Sequence, residues 1–379
     1  MKPSDRVTDI PPSGIRRFFE LAEEAEDVIS LGVGEPDFSA PWRVRDAAIA
    51  SLERGQTSYT TNRGLKELRE GISEYQHSAF GMDYNPDNEI LVTTGGSEAV
   101  DLAIRATVDP GDVVAIPEPT YLSYAPLAKL GGATVTPIPT TESNNFRLQR
   151  HHLEGAGAAD ADVLILCYPN NPTGAIMPEE ALFPIAEFVR EHDLAVISDE
   201  IYAELTYGND HTSIATLPGM RDQTIVINGF SKAFAMTGLR LGYALGPPAI
   251  IDAMNRIHQY GMLSAPTTSQ YAAIEALNSC QSEVDEMRQA YDRRRQYVLS
   301  RFADLGLSCF EARGAFYVFP ESPTNDAAQF AEELLEEAGV AVVPGDVFGA
   351  AGEGHLRVSY ATSMNRLREA FNRIDEFMN

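Results

Sequence analysis

Residues 231–240 read Ser-Lys-Ala-Phe-Ala-Met-Thr-Gly-Leu-Arg, and this stretch decides how the rest of the chain is interpreted. Its lysine, Lys232, is one of four lysines among 29 basic residues; the others are Lys2, Lys66 and Lys129. The remaining basic residues are all arginine. A guanidinium stays protonated, whereas a desolvated lysine amine loses its proton and becomes a nucleophile that condenses with aldehydes. We therefore interpret Lys232 as a reactive amine.

An apolar run at 224–228 precedes this stretch and is typical of a buried strand. Lys232 thus emerges at a strand end, where ligands bind in open α/β sheets. From about residue 43 to 280, short apolar runs alternate with helical patterns, which predicts an α/β fold with a mostly parallel, seven-stranded sheet. The strand candidates are 90–93, 113–116, 134–137, 163–166, 195–198, 224–228 and 241–245. The helix candidates between them are 64–79, 97–107, 121–130 and 179–191.

The last hundred residues have a different pattern. A long charged helix near 283–302 leads to strands near 315–319, 341–343 and 355–358, with helices after the first and the last of these. A chain of 379 residues is too long for one ordinary core. We predict a large domain at 43–282 and a small α+β domain formed by 1–42 and 283–379. The N-terminal arm, with a helix near 14–25, is expected to pack against the small domain.

Composition excludes several classes of function. The chain has 55 acidic and 29 basic residues, a net charge of −26, and no basic patch, so nucleic-acid binding is not expected. It contains no apolar run of about 18 residues, and its first residues lack the apolar core of a signal peptide. Cys167, Cys280 and Cys309 lack metal or redox spacing, which favours reduced thiols in a cytoplasmic protein. Abundant acid with scarce lysine predicts a halophilic protein from a salt-rich cytosol.

Two turns follow strand candidates and carry groups suited to a ligand. The sequence Gly-Gly-Ser-Glu at 95–98 opens a helix, where backbone N–H groups can approach a phosphate. Ser97 and Glu98 could equally serve as helix caps. The Asn-Asn pair at 170–171 lies between prolines in a rigid turn, from which an amide could also point into the crevice.

Two charged residues lie in apolar strands and need partners. Asp199 ends the run at 194–197, where a buried carboxylate requires a cation such as a protonated pyridine nitrogen, unless it caps a helix. Tyr202 follows three residues later. Arg357, flanked by apolar residues, needs a buried anion. That anion is either a structural carboxylate or a substrate α-carboxylate held by two parallel hydrogen bonds.

With these motifs the chain resembles the fold-type I, pyridoxal-phosphate-dependent aminotransferases of class I/II. It is most similar to the archaeal and bacterial branch with aromatic and aspartate aminotransferases. The resemblance extends from about Pro12 to Asn379. The stretches that carry it are residues 30–38 (Ser-Leu-Gly-Val-Gly-Glu-Pro-Asp-Phe), 59–65, 95–97, 170–174, 199–202, the Lys232 stretch and Arg357.

The resemblance implies a role for each of these residues. Those implied to hold the cofactor ring are Lys232, which also shuttles the proton, Asp199 at the pyridine nitrogen, Asn171 and Tyr202 at the ring hydroxyl, and Tyr121 stacked on the ring. Those implied to hold its phosphate are Gly96, Ser97, Glu98 and Arg240, with Ser231 a further candidate. Gly229 stands where many relatives have a phosphate-binding Ser. Those implied to bind the substrate carboxylate are Arg357, Gly34 and Asn171. Tyr59 would reach the phosphate of a neighbouring subunit, which implies a homodimer with shared active sites.

The implied reaction transfers an amino group between amino-acid and 2-oxo-acid substrates by a ping-pong mechanism. A β-lyase that uses the same cofactor is an alternative of another class. Acidic donors need a cation for their distal carboxylate, yet 257–287 contains no Arg or Lys, and Ser97 stands where one subgroup has a Lys. The candidates for the substrate pocket are Tyr121, Phe316 and Tyr317, whose rings favour substrates with aromatic side chains. Core packing explains Phe316 and Tyr317 equally well. We expect an aromatic or broad-range enzyme that uses 2-oxoglutarate, with an aspartate aminotransferase as the alternative.

Overall fold

The computed structural model describes residues 1–12, 14 and 27–379, so the helix expected near 14–25 lies, apart from Gly14, outside the described residues. The β-strands of the described part are β1 Ile29–Ser30, β2 Ile90–Thr93, β3 Val113–Glu118, β4 Thr134–Pro139, β5 Val163–Cys167, β6 Ala195–Asp199, β7 Thr224–Gly229, β8 Gly242–Leu245, β9 Tyr317–Val318, β10 Val340–Ala341, β11 Val343–Pro344 and β12 Leu356–Ser359. Its α-helices are α1 Asp5–Thr8, α2 Trp42–Glu53, α3 Lys66–Phe80, α4 Gly96–Thr107, α5 Tyr124–Gly131, α6 Arg150–Gly155, α7 Glu179–His192, α8 Pro248–Gly261, α9 Thr267–Ser279, α10 Gln281–Asp304, α11 Ala327–Ala338 and α12 Met364–Met378.

A seven-stranded sheet organises the structure, with strand order β2-β8-β7-β6-β5-β3-β4. Strands β3 to β7 pair in parallel, whereas β8 is antiparallel to both of its neighbours, β7 and β2. Each strand overlaps one of the seven predicted runs, so the predicted α/β fold with a mostly parallel sheet is confirmed. Residues 230–241, which join β7 to β8, contain no α-helix. Because a parallel return needs a long crossover, β8 runs back antiparallel.

Alternate residues of the central strands face opposite layers of helices. Ile165, Ile197 and Ile227 belong to a core cluster that also contains residues of α4 and α8. Leu164 and Val196 belong to a second cluster, together with residues of α7. The strands are buried on both faces and therefore read as continuous apolar runs instead of alternating ones.

Two smaller sheets are formed by strands from outside residues 43–282. One is antiparallel with order β11-β12-β9, and the other pairs β1 with β10 in parallel. Through β1 the N-terminal segment joins the C-terminal part of the chain, with Ile29 opposite Val340. This distribution of strands supports the two-domain division, which stays a prediction. No helix of the described residues is long and apolar enough to cross a bilayer.

Candidate active site

A cavity of about 990 Å³ opens at the carboxyl ends of β5, β6 and β7. Parallel strands end at the same edge of a sheet, so the turns that follow them meet there. The predicted site residues that line this cavity are Gly34, Gly96, Ser97, Tyr121, Asn171, Asp199, Tyr202, Ser231, Lys232, Arg240 and Arg357. The structure thus brings together residues that are up to 323 positions apart, from Gly34 to Arg357.

Lys232 lies in the turn that follows β7 and points into the cavity. Its Nζ donates a 2.6 Å hydrogen bond to the carbonyl oxygen of Gly34 and lies 5.7 Å from the ring centroids of Tyr202 and Phe316. Burial, with a further contribution from the positive charge of Arg357, lowers the pKa of Lys232 to about 8. Part of the amine is therefore neutral near physiological pH and can act as a nucleophile or base.

Asp199 is buried at the end of β6. Its Oδ2 accepts a 2.7 Å hydrogen bond from the hydroxyl of Tyr124, and its Oδ1 accepts one of 3.1 Å from the backbone N–H of Ile201. Burial raises the pKa of Asp199 to about 6, although both hydrogen bonds act in the opposite direction. Such a carboxylate favours a cation in the cavity. Sequence reasoning missed Tyr124, whose position one helical turn after Tyr121 was the available signal.

Arg357 crosses from β12 into the same cavity and is 2% exposed. Its Nη1 donates a 3.0 Å hydrogen bond to Oδ1 of Asn171, and its Nη2 donates to the carbonyl oxygen of Gly32. The guanidinium carbon lies 4.8 Å from the ring centroids of both Tyr317 and Phe348. Nε is buried without a hydrogen-bond partner, and no carboxylate of the described residues forms an ion pair with this side chain. The structural-carboxylate explanation therefore fails, and the site suits an incoming anion.

The turn between β2 and α4 forms an anion cradle with Arg240. Gly95 has a φ of +81°, and a Cβ there would lie 2.6 Å from Nη2 of Arg240. A glycine thus permits both the turn and the close approach of the guanidinium. Gly96 and Ser97 begin α4 and present the free N–H groups of a helix N-terminus at the same place. Helix N-termini of this kind bind phosphate.

Two predicted residues lie outside the cavity lining. Glu98 accepts a 2.5 Å hydrogen bond from the Thr94 backbone N–H, and its other oxygen lies 2.7 Å from Nδ1 of His258. Burial alone would raise the pKa of Glu98, but these two hydrogen bonds outweigh it and lower the pKa. Its carboxylate therefore braces the turn, and only its backbone can face a phosphate. Tyr59 is 79% exposed, and its role at a neighbouring subunit stays a prediction.

Close packing explains Gly34, a predicted site residue, and Gly229, which stands where many relatives have Ser. A Cβ at Gly34 would lie 2.5 Å from the hydroxyl oxygen of Tyr317. At Gly229, a Cβ would lie 2.9 Å from the Cα of Gly242 and 3.0 Å from the carbonyl oxygen of Leu241. There is no space for a serine side chain at this position between β7 and β8, so a phosphate site here would have to form without one.

The cavity therefore combines a lysine amine with a lowered pKa, a helix N-terminus beside an arginine, a buried acid and a buried arginine without an acidic partner among the described residues. Residues 26–374 match the family of class I and II aminotransferases. The chain is 51% identical to YugH of Bacillus subtilis, whose name assigns it to the aminotransferases, over 99% of this chain and 98% of that protein. It is 43% identical to an aspartate aminotransferase of Pyrococcus abyssi, over 100% of this chain and 98% of that protein.

A solved aromatic aminotransferase from Pyrococcus horikoshii superposes with a TM-score of 0.91 at 43% identity, over 95% of this chain and 98% of that chain. The names of these relatives differ in the amino donor or leave it open, but they agree on the reaction. Matches that span nearly the whole chain at these identities establish the family and, with it, the enzyme class. The chain belongs to the class I and II aminotransferases, which depend on pyridoxal phosphate.

Proposed function

We propose that this aminotransferase moves the amino group of an aromatic, or of a broad range of, L-amino acids to 2-oxoglutarate by a ping-pong mechanism. The observation that carries the proposal is Arg357, a buried cation with an unpartnered Nε and no acidic partner among the described residues. An α-carboxylate, common to every donor and acceptor of an aminotransferase, is an anion that this arginine suits.

The residues of the cavity fit pyridoxal phosphate. The amine of Lys232 would bind its aldehyde, and the α4 N-terminus with Arg240 would hold its phosphate. Asp199, buried and with a raised pKa, suits a protonated ring nitrogen. When bound, the cofactor supplies the carbonyl that takes the amino group and a ring that withdraws electrons.

Each protein group then has a task in the reaction. Arg357 and Asn171 orient the substrate by its carboxylate, which places the α-carbon near Lys232. The neutral amine of Lys232 removes the proton from the α-carbon of the donor, and in the second half-reaction it delivers a proton to the α-carbon of the acceptor. Asp199 keeps positive charge on the ring nitrogen, and Tyr124 keeps Asp199 in place. Because the same groups serve donor and acceptor in turn, the two half-reactions alternate.

The donor preference is argued from the charges of the cavity. Its cationic lining residues, in the described part of the chain, are Lys232, Arg240 and Arg357, and each already has a task. Among the residues that the structure describes, no further cation lines the cavity for the distal carboxylate of aspartate, whose burial there would be unfavourable. Tyr121 and Tyr317 instead offer aromatic surface, which favours an aromatic side chain on the donor.

A survey of donors with 2-oxoglutarate as acceptor tests this proposal. We expect kcat/KM for phenylalanine and tyrosine to exceed that for aspartate by at least about tenfold, which corresponds to about 1.4 kcal/mol. Equal or greater activity with aspartate would reject the donor preference. Ammonia released from an amino acid without any oxo acid would reject the transfer reaction in favour of a β-lyase.

A substitution makes the charge argument sharper. Ser97→Lys adds a cation to the lining, so the ratio of kcat/KM for aspartate to that for phenylalanine should rise. Ser97→Met is the control, since it adds similar length without charge. The ratio cancels any common loss of cofactor binding. A ratio that rises equally in both variants would show that cavity shape, and not charge, sets the preference.

We also propose a homodimer with shared active sites. Tyr59, Tyr260, Met262 and Leu263 are all exposed large side chains. Their two segments are held together, because the Asn62 side chain donates a 2.6 Å hydrogen bond to the carbonyl oxygen of Leu263. Clustered apolar side chains of this kind mark a surface that another molecule covers. A second copy would cover them and bring Tyr59 to the neighbouring phosphate.

A further inference from the structure

Three potential metal ligands meet away from the cavity lining. Glu142 begins a short 3-10 turn that follows β4, Glu321 lies shortly after β9, and His355 directly precedes β12. One ligand atom from each lies within 4.8 Å of the other two. This cluster therefore joins the seven-stranded sheet to the three-stranded sheet.

The imidazole of His355 is oriented for coordination. Its Nδ1 lies 3.1 Å from the carbonyl oxygen of Glu353, which can only accept, so Nδ1 carries the hydrogen and Nε2 carries the lone pair. Nε2 is buried without a hydrogen-bond partner. Phe319 stacks on the ring with an interplanar angle of 2°, and Phe146 packs edge-on at 5.4 Å. A backbone carbonyl that holds one nitrogen of a histidine is a frequent feature of metal sites.

The two carboxylates lack a counter-charge. Oε1 of Glu142 accepts a 3.1 Å hydrogen bond from the hydroxyl of Ser308, whose carbonyl oxygen also accepts from the backbone N–H of Glu321. Ser308 thus supports both acidic residues. In the described part of the chain, neither of them forms an ion pair with an arginine or a lysine. Two nearby carboxylates and an unpartnered imidazole nitrogen together favour a divalent cation.

We propose that Glu142, Glu321 and His355 bind a divalent transition-metal ion, of which Zn²⁺ is the best fit. Zinc accepts imidazole nitrogen and carboxylate oxygen at about 2.0–2.2 Å, and three protein ligands leave a fourth position for water. Tetrahedral ligands at that radius lie about 3.3 Å apart, so the glutamate side chains need to close in by about 1.5 Å at most. Glu321 is exposed and free to turn. Mg²⁺, which prefers oxygen ligands, would not use the imidazole.

The ion would act on structure. His355 is two residues before Arg357, and its carbonyl oxygen accepts a 2.8 Å hydrogen bond from the N–H of Gly345. Coordination would therefore tie the start of β12 to the turn after β4. The expected consequence is a higher thermal stability of the metal-bound protein, because a ligand that binds only the folded state stabilises it.

Calorimetric titration of the chelator-treated, cofactor-loaded enzyme with ZnCl₂ in phosphate-free buffer tests the proposal. We expect one site, and a weakening of at least about tenfold in His355→Gln and in Glu321→Gln, since each removes one ligand. Glu321→Gln is the more secure variant, because an exposed side chain is not needed for folding. Zn²⁺ should also raise the melting temperature of the natural protein but not of these variants.

Two matched variants control for other binding groups. Glu353→Gln removes a nearby exposed carboxylate but keeps the carbonyl that holds His355, and Cys309→Ser removes a neighbouring thiol. Both should bind Zn²⁺ like the natural protein. The proposal is overturned if the natural protein binds no Zn²⁺, if the two ligand variants bind it unchanged, or if MgCl₂ competes at equal concentration. The last result would indicate only a cluster of acidic side chains.

Discussion

Nη1 of Arg357 donates a 3.0 Å hydrogen bond to Oδ1 of Asn171, which joins strand β12 to the turn after β5. Arg357 belongs to the three-stranded sheet and Asn171 to a turn that follows a strand of the seven-stranded sheet, and the two residues are 186 positions apart in the chain. Asn171 thereby fixes one edge of the guanidinium and leaves the buried Nε unpartnered. The pair is where we propose that the carboxylate of every substrate binds, so its geometry governs both half-reactions.

Arg357→Lys should weaken amino donors and oxo-acid acceptors alike. A lysine keeps the charge but cannot make two parallel hydrogen bonds. We expect steady-state kinetics to show a fall in kcat/KM of about 10- to 100-fold for each substrate. The control is Arg366→Lys, which changes an exposed arginine on α12. A loss limited to one donor would instead assign Arg357 to a side-chain pocket.

Lys232→Ala should abolish transamination and the visible absorption of the lysine-bound cofactor, whereas Lys129→Ala, on the exposed side of α5, should change neither. In the natural apoenzyme, capture of pyridoxal phosphate needs the neutral amine, whose pKa is lowered to about 8. The capture rate at limiting cofactor should thus rise with pH and level off above pH 8. A visible band that persists in purified Lys232→Ala would refute the assignment.

Asp199→Asn should make the apoenzyme more stable and the enzyme less active. The pKa of Asp199 is raised from 3.8 to about 6 by burial, so the folded state favours the protonated form and loses this stabilisation as the pH rises through 6. An amide cannot ionise. At pH 8 the free energy of unfolding of the variant apoenzyme should therefore exceed that of the natural apoenzyme by about 3 kcal/mol at most, so the variant should melt at a higher temperature, with a smaller difference at pH 4.

The same variant should lower kcat far more than cofactor affinity, because the ring nitrogen loses its charged partner. Differential scanning calorimetry and steady-state kinetics give the two measurements. An unchanged kcat would remove Asp199 from the mechanism. A difference in melting temperature that does not depend on pH would show that the carboxylate is not the destabilising group.

Shared active sites predict recovery of activity in hybrid dimers. When Lys232→Ala and Tyr59→Phe subunits are mixed, each hybrid has one site with both defects and one with neither. Activity above that of either parent is expected after subunits exchange. No recovery despite exchange, followed by native mass spectrometry of tagged subunits, would argue against a role for Tyr59 in the neighbouring site.

Salt should stabilise the folded enzyme. With a net charge of −26, carboxylates repel one another, and the Debye length shrinks from about 10 Å at 0.1 M to about 3 Å at 1 M. The melting temperature should rise between low salt and molar KCl, and added cofactor should raise it further in both. A melting temperature that stays flat or falls would reject the halophilic interpretation and leave the enzyme class intact.

Local patterns in the sequence were enough to predict the main sheet. Its seven strands are buried on both faces, and such strands appear as apolar runs of recognisable length. The antiparallel direction of β8 was not predicted, because the direction of a strand depends on its connection and on its neighbours. The short β10 and β11 also differ from the single strand predicted near 341–343, since two-residue strands leave almost no periodic pattern.

The sequence by itself determined which chemical groups are available: one lysine in a strand-end turn, an acid closing a buried strand, a glycine turn and an arginine in an apolar strand. Only the tertiary structure decided which of these meet. It paired the carboxylate of Glu98 with His258 instead of placing it at the predicted phosphate site, and it supported Asp199 with the unpredicted Tyr124. Residue type sets intrinsic reactivity, whereas distance, burial and hydrogen-bond partners arise from contacts between segments remote in the chain.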